Sequence, residues 1–257
     1  MSGRLDGKVA IVTGGGTGIG AAIAQHFASL GASVAISGRR LEPLREQAAK
    51  IGAAGAKVLS LDCDTATEDG VVRLFGMVEE GLGPVDILVN NAAIAGPVAP
   101  IWEQDFAGWE DTLRINLSGP WLCARAAARQ MIPRESGRII NIGSMTGKRP
   151  LAKRTPYAAT KMGLVGLTRT LALELGDYNI NVNCISPGAV ATSRLQELAD
   201  KAGITLEEFH KLAAAGSALK RISTPEDIAE LAAFLASPAG RNITGIDITV
   251  DAGVWYS

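Results

Sequence analysis

Short apolar runs rich in β-branched residues alternate along this chain with longer segments in which apolar residues recur every three or four positions. The runs at 8–13, 33–37, 57–61, 85–89, 137–142, 179–185 and 246–250 predict strands, as in Lys8-Val9-Ala10-Ile11-Val12. Helical periodicity fills the intervals at 18–29, 41–53, 67–81, 111–132, 156–175 and 225–236. Start signals support two of these helices. Thr155-Pro156 offers a cap and a first-turn proline, and Thr224-Pro225-Glu226-Asp227 adds two acids near the positive end of the helix dipole. Strands that alternate regularly with helices predict an α/β fold, a parallel sheet covered on both faces.

The 257 residues show no internal repeat, low-complexity tract or linker, so a single domain spanning 1–257 is expected. A hydrophobic content of 47% suffices for a large core. The net charge of −1 gives no electrostatic reason to expect nucleic acid or an anionic membrane as partner. No apolar run approaches the roughly 18 residues of a membrane span, and Met1-Ser2-Gly3-Arg4-Leu5-Asp6 lacks a signal-peptide core, so a cytoplasmic location is expected. Cys63, Cys123 and Cys184 are odd in number and lack Cys-x-x-Cys spacing. Neither a disulfide framework nor a metal site is implied, and small buried hydrophobes are expected.

Two motifs carry chemistry. Thr13-Gly14-Gly15-Gly16-Thr17-Gly18-Ile19-Gly20 lies between the first strand and the first helix, where a glycine turn lets backbone approach a pyrophosphate and the helix N-terminus receives its charge. Its spacing is Gly-x-x-x-Gly-x-Gly rather than the commoner Gly-x-Gly-x-x-Gly. Far downstream, Tyr157 and Lys161 stand four residues apart, which puts phenol and ammonium on one helix face. A fixed cation beside a tyrosine favours its phenolate, making Tyr157 a plausible proton donor and acceptor. A serine nucleophile is not supported, because the two histidines, His26 and His210, show no hydrolase spacing.

Taken in order, Thr13-Gly14-x-x-x-Gly18-Ile19-Gly20, Asn90-Asn91-Ala92-Ala93, Asn116, Ser144, Tyr157-x-x-x-Lys161 and Ser186-Pro187-Gly188 resemble the motifs of the single-domain short-chain dehydrogenase/reductase family. The resemblance runs from about Leu5 to Gly253, with Ala93 where the family more often has glycine. It implies a Rossmann-type, doubly wound sheet of seven parallel strands in the order 3-2-1-4-5-6-7, with a dinucleotide across the C-terminal strand ends. It also implies a catalytic set of Asn116, Ser144, Tyr157 and Lys161, and hydride transfer between the nicotinamide and a carbonyl or carbinol carbon. In that set Tyr157 transfers the proton, Ser144 orients the substrate oxygen, and Lys161 lowers the tyrosine pKa and binds ribose hydroxyls. Asn116 kinks its helix and holds a water that relays protons toward Lys161.

Implied cofactor contacts comprise Gly14, Gly16, Thr17, Gly18 and Ile19 for the pyrophosphate, and Asp64 and Thr65 at the adenine edge. Asn90 is expected near the nicotinamide ribose; Pro187 and Gly188 pack by the nicotinamide, and Val190 and Thr192 contact its carboxamide. The second strand ends in Ser37-Gly38-Arg39-Arg40, with glycine where NAD-using relatives place aspartate; Arg39 can pair with a 2′-phosphate, so NADP(H) is favoured and NAD(H) remains an alternative.

A substrate lid is expected at about 193–218, carrying Leu195, Leu198, Ile204, Leu206, Phe209 and Leu212. Further pocket positions are Ile94, Ala95, Met145 and Thr146. Lys148, Arg149, Lys153 and Arg154 form either a solvated rim or an attractor for an anionic substrate. A 3-oxoacyl reductase and a polyol or sugar dehydrogenase both fit, and the rival from another class is a non-catalytic nucleotide-binding sensor or scaffold. Apolar circumference on the helices 111–132 and 156–175, with the resemblance, predicts a homotetramer having Val254-Trp255-Tyr256-Ser257 near a subunit boundary.

Overall fold

The computed structural model describes residues 4–254, so Trp255, Tyr256 and Ser257 lie outside the described residues. Seven strands form one parallel sheet in the order β3-β2-β1-β4-β5-β6-β7. They are β1 (Val9–Thr13), β2 (Ser33–Gly38), β3 (Val58–Asp62), β4 (Ile87–Asn90), β5 (Gly137–Ile142), β6 (Ile180–Pro187) and β7 (Asp247–Val250). The predicted strands are all present, shifted by a residue or two at their ends.

Alternation along each strand divides the core in two. Ala10, Val12, Val34 and Ile36 face helices α1 (Gly18–Ser29), α2 (Leu41–Ala53) and α10 (Pro225–Ala236), packing with Ile23, Phe27, Leu44 and Ile228. On the other face Ile11, Leu88, Ile139 and Val182 meet α3 (Glu68–Gly81), α5 (Gly119–Met131) and α7 (Thr155–Gly176) through Phe75, Leu122, Met131 and Leu175. Each large apolar side chain so buried contributes about 1.5–3 kcal/mol relative to exposure. Cys63, Cys123 and Cys184 are buried and unbridged, as expected. Burial pushes the Cys63 thiol up to about 11 and Cys184 up to about 12, so they behave as packing groups.

Two helix readings need correction. The helix expected at 111–132 begins earlier, as α4 (Phe106–Leu113), because the Asp105 side chain accepts from the Gly108 N–H at 2.5 Å. It then passes through a π-helical turn, Arg114–Ser118, before continuing as α5. In α7, Thr155 is the first helical residue rather than its cap; Arg154 occupies that position without a capping side-chain bond, and Pro156 sits in the first turn as expected. A short α6 (Met145–Lys148) follows β5.

The segment expected as a lid contains α8 (Ser193–Ala202) and α9 (Leu206–Ala215), split by Gly203 at φ 69°. Thr205 and Glu208 close a reciprocal capping box on α9. Among the described residues no helix is long and apolar enough to cross a membrane, and no cluster of His, Cys, Asp and Glu could hold a metal ion.

Candidate functional site

The connection direction reverses at β1, which pairs with β2 on one side and β4 on the other. Such a switch point opens a crevice at the C-terminal strand ends. A network centred on Thr13 fixes it: Thr13 Oγ1 donates to the Val89 carbonyl at 3.3 Å and accepts from the Asn91 and Ala92 N–H groups, each at 3.0 Å. Asn91 Nδ2 in turn donates to the carbonyls of Thr13 at 2.9 Å and Gly14 at 3.2 Å. A cleft of about 740 Å³ runs from here along the strand ends.

Gly14, Gly16, Thr17, Gly18 and Ile19 line one wall of this cleft. Gly14 has φ 66°, and a Cβ there would lie 2.9 Å from Asn91 Nδ2. At Gly20 a Cβ would collide with the Gly14 carbonyl and Asn91, so glycine is needed for the turn to fold back against the strand ends. Thr17 makes no side-chain cap to α1, and the first turn carries no acid. Uncapped N–H groups and the dipole's positive end therefore face the cleft as an anion site, which fits a dinucleotide's pyrophosphate.

At the β2 end, Gly38, Arg39 and Arg40 line the cleft, with both arginines exposed. Neither has an ion pair among the described residues. Thr65 is buried against the same region. Asp64 also lines it, but both oxygens are engaged: Oδ1 accepts from the Ala66 N–H at 3.0 Å and Oδ2 pairs with Arg114 at 3.2 Å. The Asx turn thus holds Asp64 at the wall whatever else it binds.

Tyr157, Lys161 and Ser144 meet at the middle of the cleft. Lys161 is 3% exposed, donates from Nζ to the Ile142 carbonyl at 2.7 Å, and lies 5.7 Å from the Tyr157 ring centre. Burial pushes the Tyr157 phenol up, whereas Lys161, Arg194, a hydrogen-bonding interaction with Ser144, and Arg154 pull it down; the balance lies below the ordinary tyrosine value. Burial lowers the Lys161 pKa, opposed by Tyr157 and Cys184, and the net direction is downward. Ser144 caps α6, its Oγ accepting from the Thr146 N–H at 3.1 Å, which leaves its own proton for another acceptor. Pro187, Gly188, Val190 and Thr192, on β6 and the loop after it, complete this wall.

Two expected site residues do not reach the cleft. Asn116 is fully buried in the π-helical turn, where Oδ1 accepts from the Ile94 N–H at 2.8 Å and Nδ2 donates to the Ile94 carbonyl at 2.9 Å and to Thr160 Oγ1 at 3.4 Å. The helix irregularity is there, but the side chain clamps the Ile94 loop to α7. Asn90 turns into the layer behind the sheet, donating to Asn141 Oδ1 at 2.9 Å and the Pro120 carbonyl at 3.3 Å. Consecutive residues at a strand end face opposite ways, so it is Asn91 that lines the cleft.

From α8 and α9, Leu195, Leu198 and Phe209 line the remaining side, whereas Leu212 is 68% exposed and does not line the cleft. The basic loop divides. Lys148 is tied to β7, pairing with Asp247 Oδ2 at 3.1 Å and donating to Thr249 Oγ1 at 2.7 Å. Arg149 and Arg154 line the cleft, joined by Arg194 from the first turn of α8. Nothing in the sequence pattern marks Arg194, since a lone arginine on a polar helix reads as a solvated charge. His26 pairs with Glu230 at 3.3 Å, remote from this chemistry.

Comparison with known proteins agrees with this geometry. A family model described as enoyl-(acyl carrier protein) reductase matches residues 14–255. D-threitol dehydrogenase of Mycolicibacterium smegmatis is 38% identical, covering 97% of this chain and 94% of the relative. The 3-oxoacyl-[acyl-carrier-protein] reductase FabG of Aquifex aeolicus is 34% identical, covering 98% and 99%. Short chain dehydrogenase/reductase astE of Aspergillus oryzae is 39% identical over 97% of this chain and 95% of the relative. Among solved structures, a candidate short-chain alcohol dehydrogenase from Sinorhizobium meliloti 1021 superimposes with a TM-score of 0.92 at 35% identity, covering 99% of this chain and 98% of that one.

Proposed function

We propose that this chain, which belongs to the short-chain dehydrogenase/reductase family and is therefore an oxidoreductase, interconverts a ketone and a secondary alcohol with NADP(H). The observation that carries this reading is the junction of Tyr157, Lys161 and Ser144 in one cleft with an uncapped helix N-terminus and a glycine turn. The bound nicotinamide would supply or accept the hydride. Tyr157 gives its proton to the carbonyl oxygen in reduction and takes it back in oxidation. The Ser144 hydroxyl, its lone pair engaged by Thr146, donates to the same oxygen and stabilises charge building there. Lys161 spends one N–H on Ile142 and keeps two to hold sugar hydroxyls, while its charge favours the phenolate. Asn116 is a positioning residue that fixes the Ile94 loop beside the reacting groups.

NADP(H) rather than NAD(H) is supported by Gly38, which supplies no carboxylate for a 2′-hydroxyl, and by Arg39, free to fork onto a 2′-phosphate. Pro187, Gly188, Val190 and Thr192 are assigned to the nicotinamide side, and Asp64 with Thr65 to the adenine side. We assign these roles to one catalytic domain with residues 193–218 as its lid. A homotetramer is supported by the outward stripe of α7, where Met162 and Leu173 are 46% and 84% exposed and Gly166 between them lets a partner backbone approach.

The relatives' named substrates range from D-threitol to a 3-oxoacyl carrier conjugate, so their names do not choose a substrate. A panel of ketones and secondary alcohols, followed by nicotinamide absorbance with both cofactors, tests the reading. It predicts turnover with NADPH exceeding that with NADH; the reverse preference would contradict the cofactor assignment.

A further inference from the structure

We propose that Arg154 and Arg194 form a carboxylate-binding pair beside Tyr157, so that the favoured substrates are oxo acids and the corresponding hydroxy acids. This rests on the reading of Tyr157 as the proton-transferring residue and names the substrate class of that same site.

The guanidinium carbons of Arg154 and Arg194 lie 5.9 Å and 5.3 Å from the Tyr157 ring centre. They come from different elements, Arg154 at the start of α7 and Arg194 in the first turn of α8, and both line the cleft. Neither has a salt bridge or a side-chain hydrogen bond among the described residues, and Arg154 Nη1 is buried with no partner. The two charges are close enough to repel, and burial with the Arg194 charge lowers the Arg154 pKa. Two half-buried cations held together without an acid are costly unless an anion joins them.

No described residue on the cleft wall supplies that anion. Among the described charged residues lining it, Asp64 is the acid, and it is paired with Arg114. Contact with the tyrosine ring does not satisfy the arginines, because a guanidinium over an aromatic face keeps its N–H groups at its edge. The start of α8 adds a positive dipole end, with no acid in its first turn. Leu195 and Phe209 on the lid bound the same space, which suits an apolar body bearing one negative charge better than a doubly charged phosphate. A planar carboxylate matches the arginine fork.

The test compares 3-, 4- and 5-oxo acids with their methyl esters in NADPH-dependent reduction by wild type, Arg154→Met and Arg194→Met. The acid-to-ester ratio of kcat/KM is expected to favour the acid in wild type and to fall by about 10- to 100-fold in each variant. Taking the ratio cancels any change in the Tyr157 pKa, which touches both substrates alike. A ratio unchanged by both substitutions would overturn the proposal, as would a loss confined to KM for NADPH, which would assign the arginines to the cofactor. Calorimetric titration of hexanoate and hexanamide, with and without NADPH, reads the subsite without turnover. Hexanoate should bind at least about tenfold tighter in wild type and lose that advantage in the variants. Equal binding of the two would sink the pair even if ketones are reduced, and butyl phosphate binding tighter than hexanoate would overturn the choice of carboxylate. Carboxylate selectivity without reduction of any ketone would leave the pair standing and place the failure on the Tyr157 reading.

Discussion

Lys161 holds its ammonium 5.7 Å from the centre of the Tyr157 ring while its Nζ is anchored to the Ile142 carbonyl at 2.7 Å. The anchor matters because a flexible lysine would average its field over many positions. Here the charge is fixed one helical turn from the phenol, and with Arg194, Ser144 and Arg154 it outweighs the burial that would otherwise push the tyrosine up.

A pH profile follows from that balance. If Tyr157 is the base as proposed, alcohol oxidation needs its phenolate, so kcat/KM should climb with pH and level off above the Tyr157 pKa, with a midpoint below that of free tyrosine, about 10. In Lys161→Met a principal lowering influence is gone, and the midpoint should move to higher pH. An unmoved midpoint would detach Lys161 from the phenol's ionisation.

Cofactor choice should shift toward NADH in each of two substitutions, by loss of a phosphate contact in one and gain of a ribose contact in the other. Arg39→Ala is expected to weaken NADPH by roughly 10- to 100-fold, as for loss of a charge-assisted contact, and NADH far less. At Gly38 an added Cβ would meet nothing closer than Leu44 at 3.9 Å, so Gly38→Asp can be accommodated and should shift preference toward NADH. Fluorescence titration of both cofactors decides; equal losses for the two in Arg39→Ala would refute the phosphate contact.

Asn116→Ala should destabilise the fold as well as slow turnover. The substitution removes the partner of the half-buried Ile94 N–H and carbonyl, a cost of up to about 1–3 kcal/mol, the value for fully buried groups left unpaired. Thermal unfolding should show a lowered midpoint. An unchanged midpoint with lost activity would instead argue for direct participation in the chemistry.

Assembly can be checked by light scattering at micromolar concentration, where a mass near four times 26.7 kDa is expected. Leu173→Glu, on the outward stripe of α7, should reduce that mass. A wild-type monomer would show that these faces need no partner.

Much of the fold is legible because strands buried on both faces read as unbroken apolar runs, and the glycine turn and Tyr157-Lys161 pair are local in sequence. The less legible parts depend on distant contacts. Asp105 is a good cap, yet exposed Phe106 blurs the helical pattern that should follow it, since it is 70% exposed. Asn116 and Asn90 carry the expected residue types, but their side-chain directions follow from a π-helical turn and from strand alternation. Lys148 and Arg154 sit in one basic loop with similar prospects. Lys148 is neutralised by Asp247, 99 positions away, and Arg154 faces the cleft because α7 starts there. Arg194 reaches Tyr157 only because β6 delivers α8 across the strand ends.

The most direct test is the turnover and cofactor affinity of Tyr157→Phe. The substitution keeps the ring that Lys161, Arg154 and Arg194 surround and removes only the transferable proton. Turnover should fall by about 100-fold or more, as for loss of a positioned acid, with NADPH binding nearly unchanged. A variant retaining more than about a tenth of the wild-type rate would contradict the assignment of Tyr157 as the proton-transferring residue.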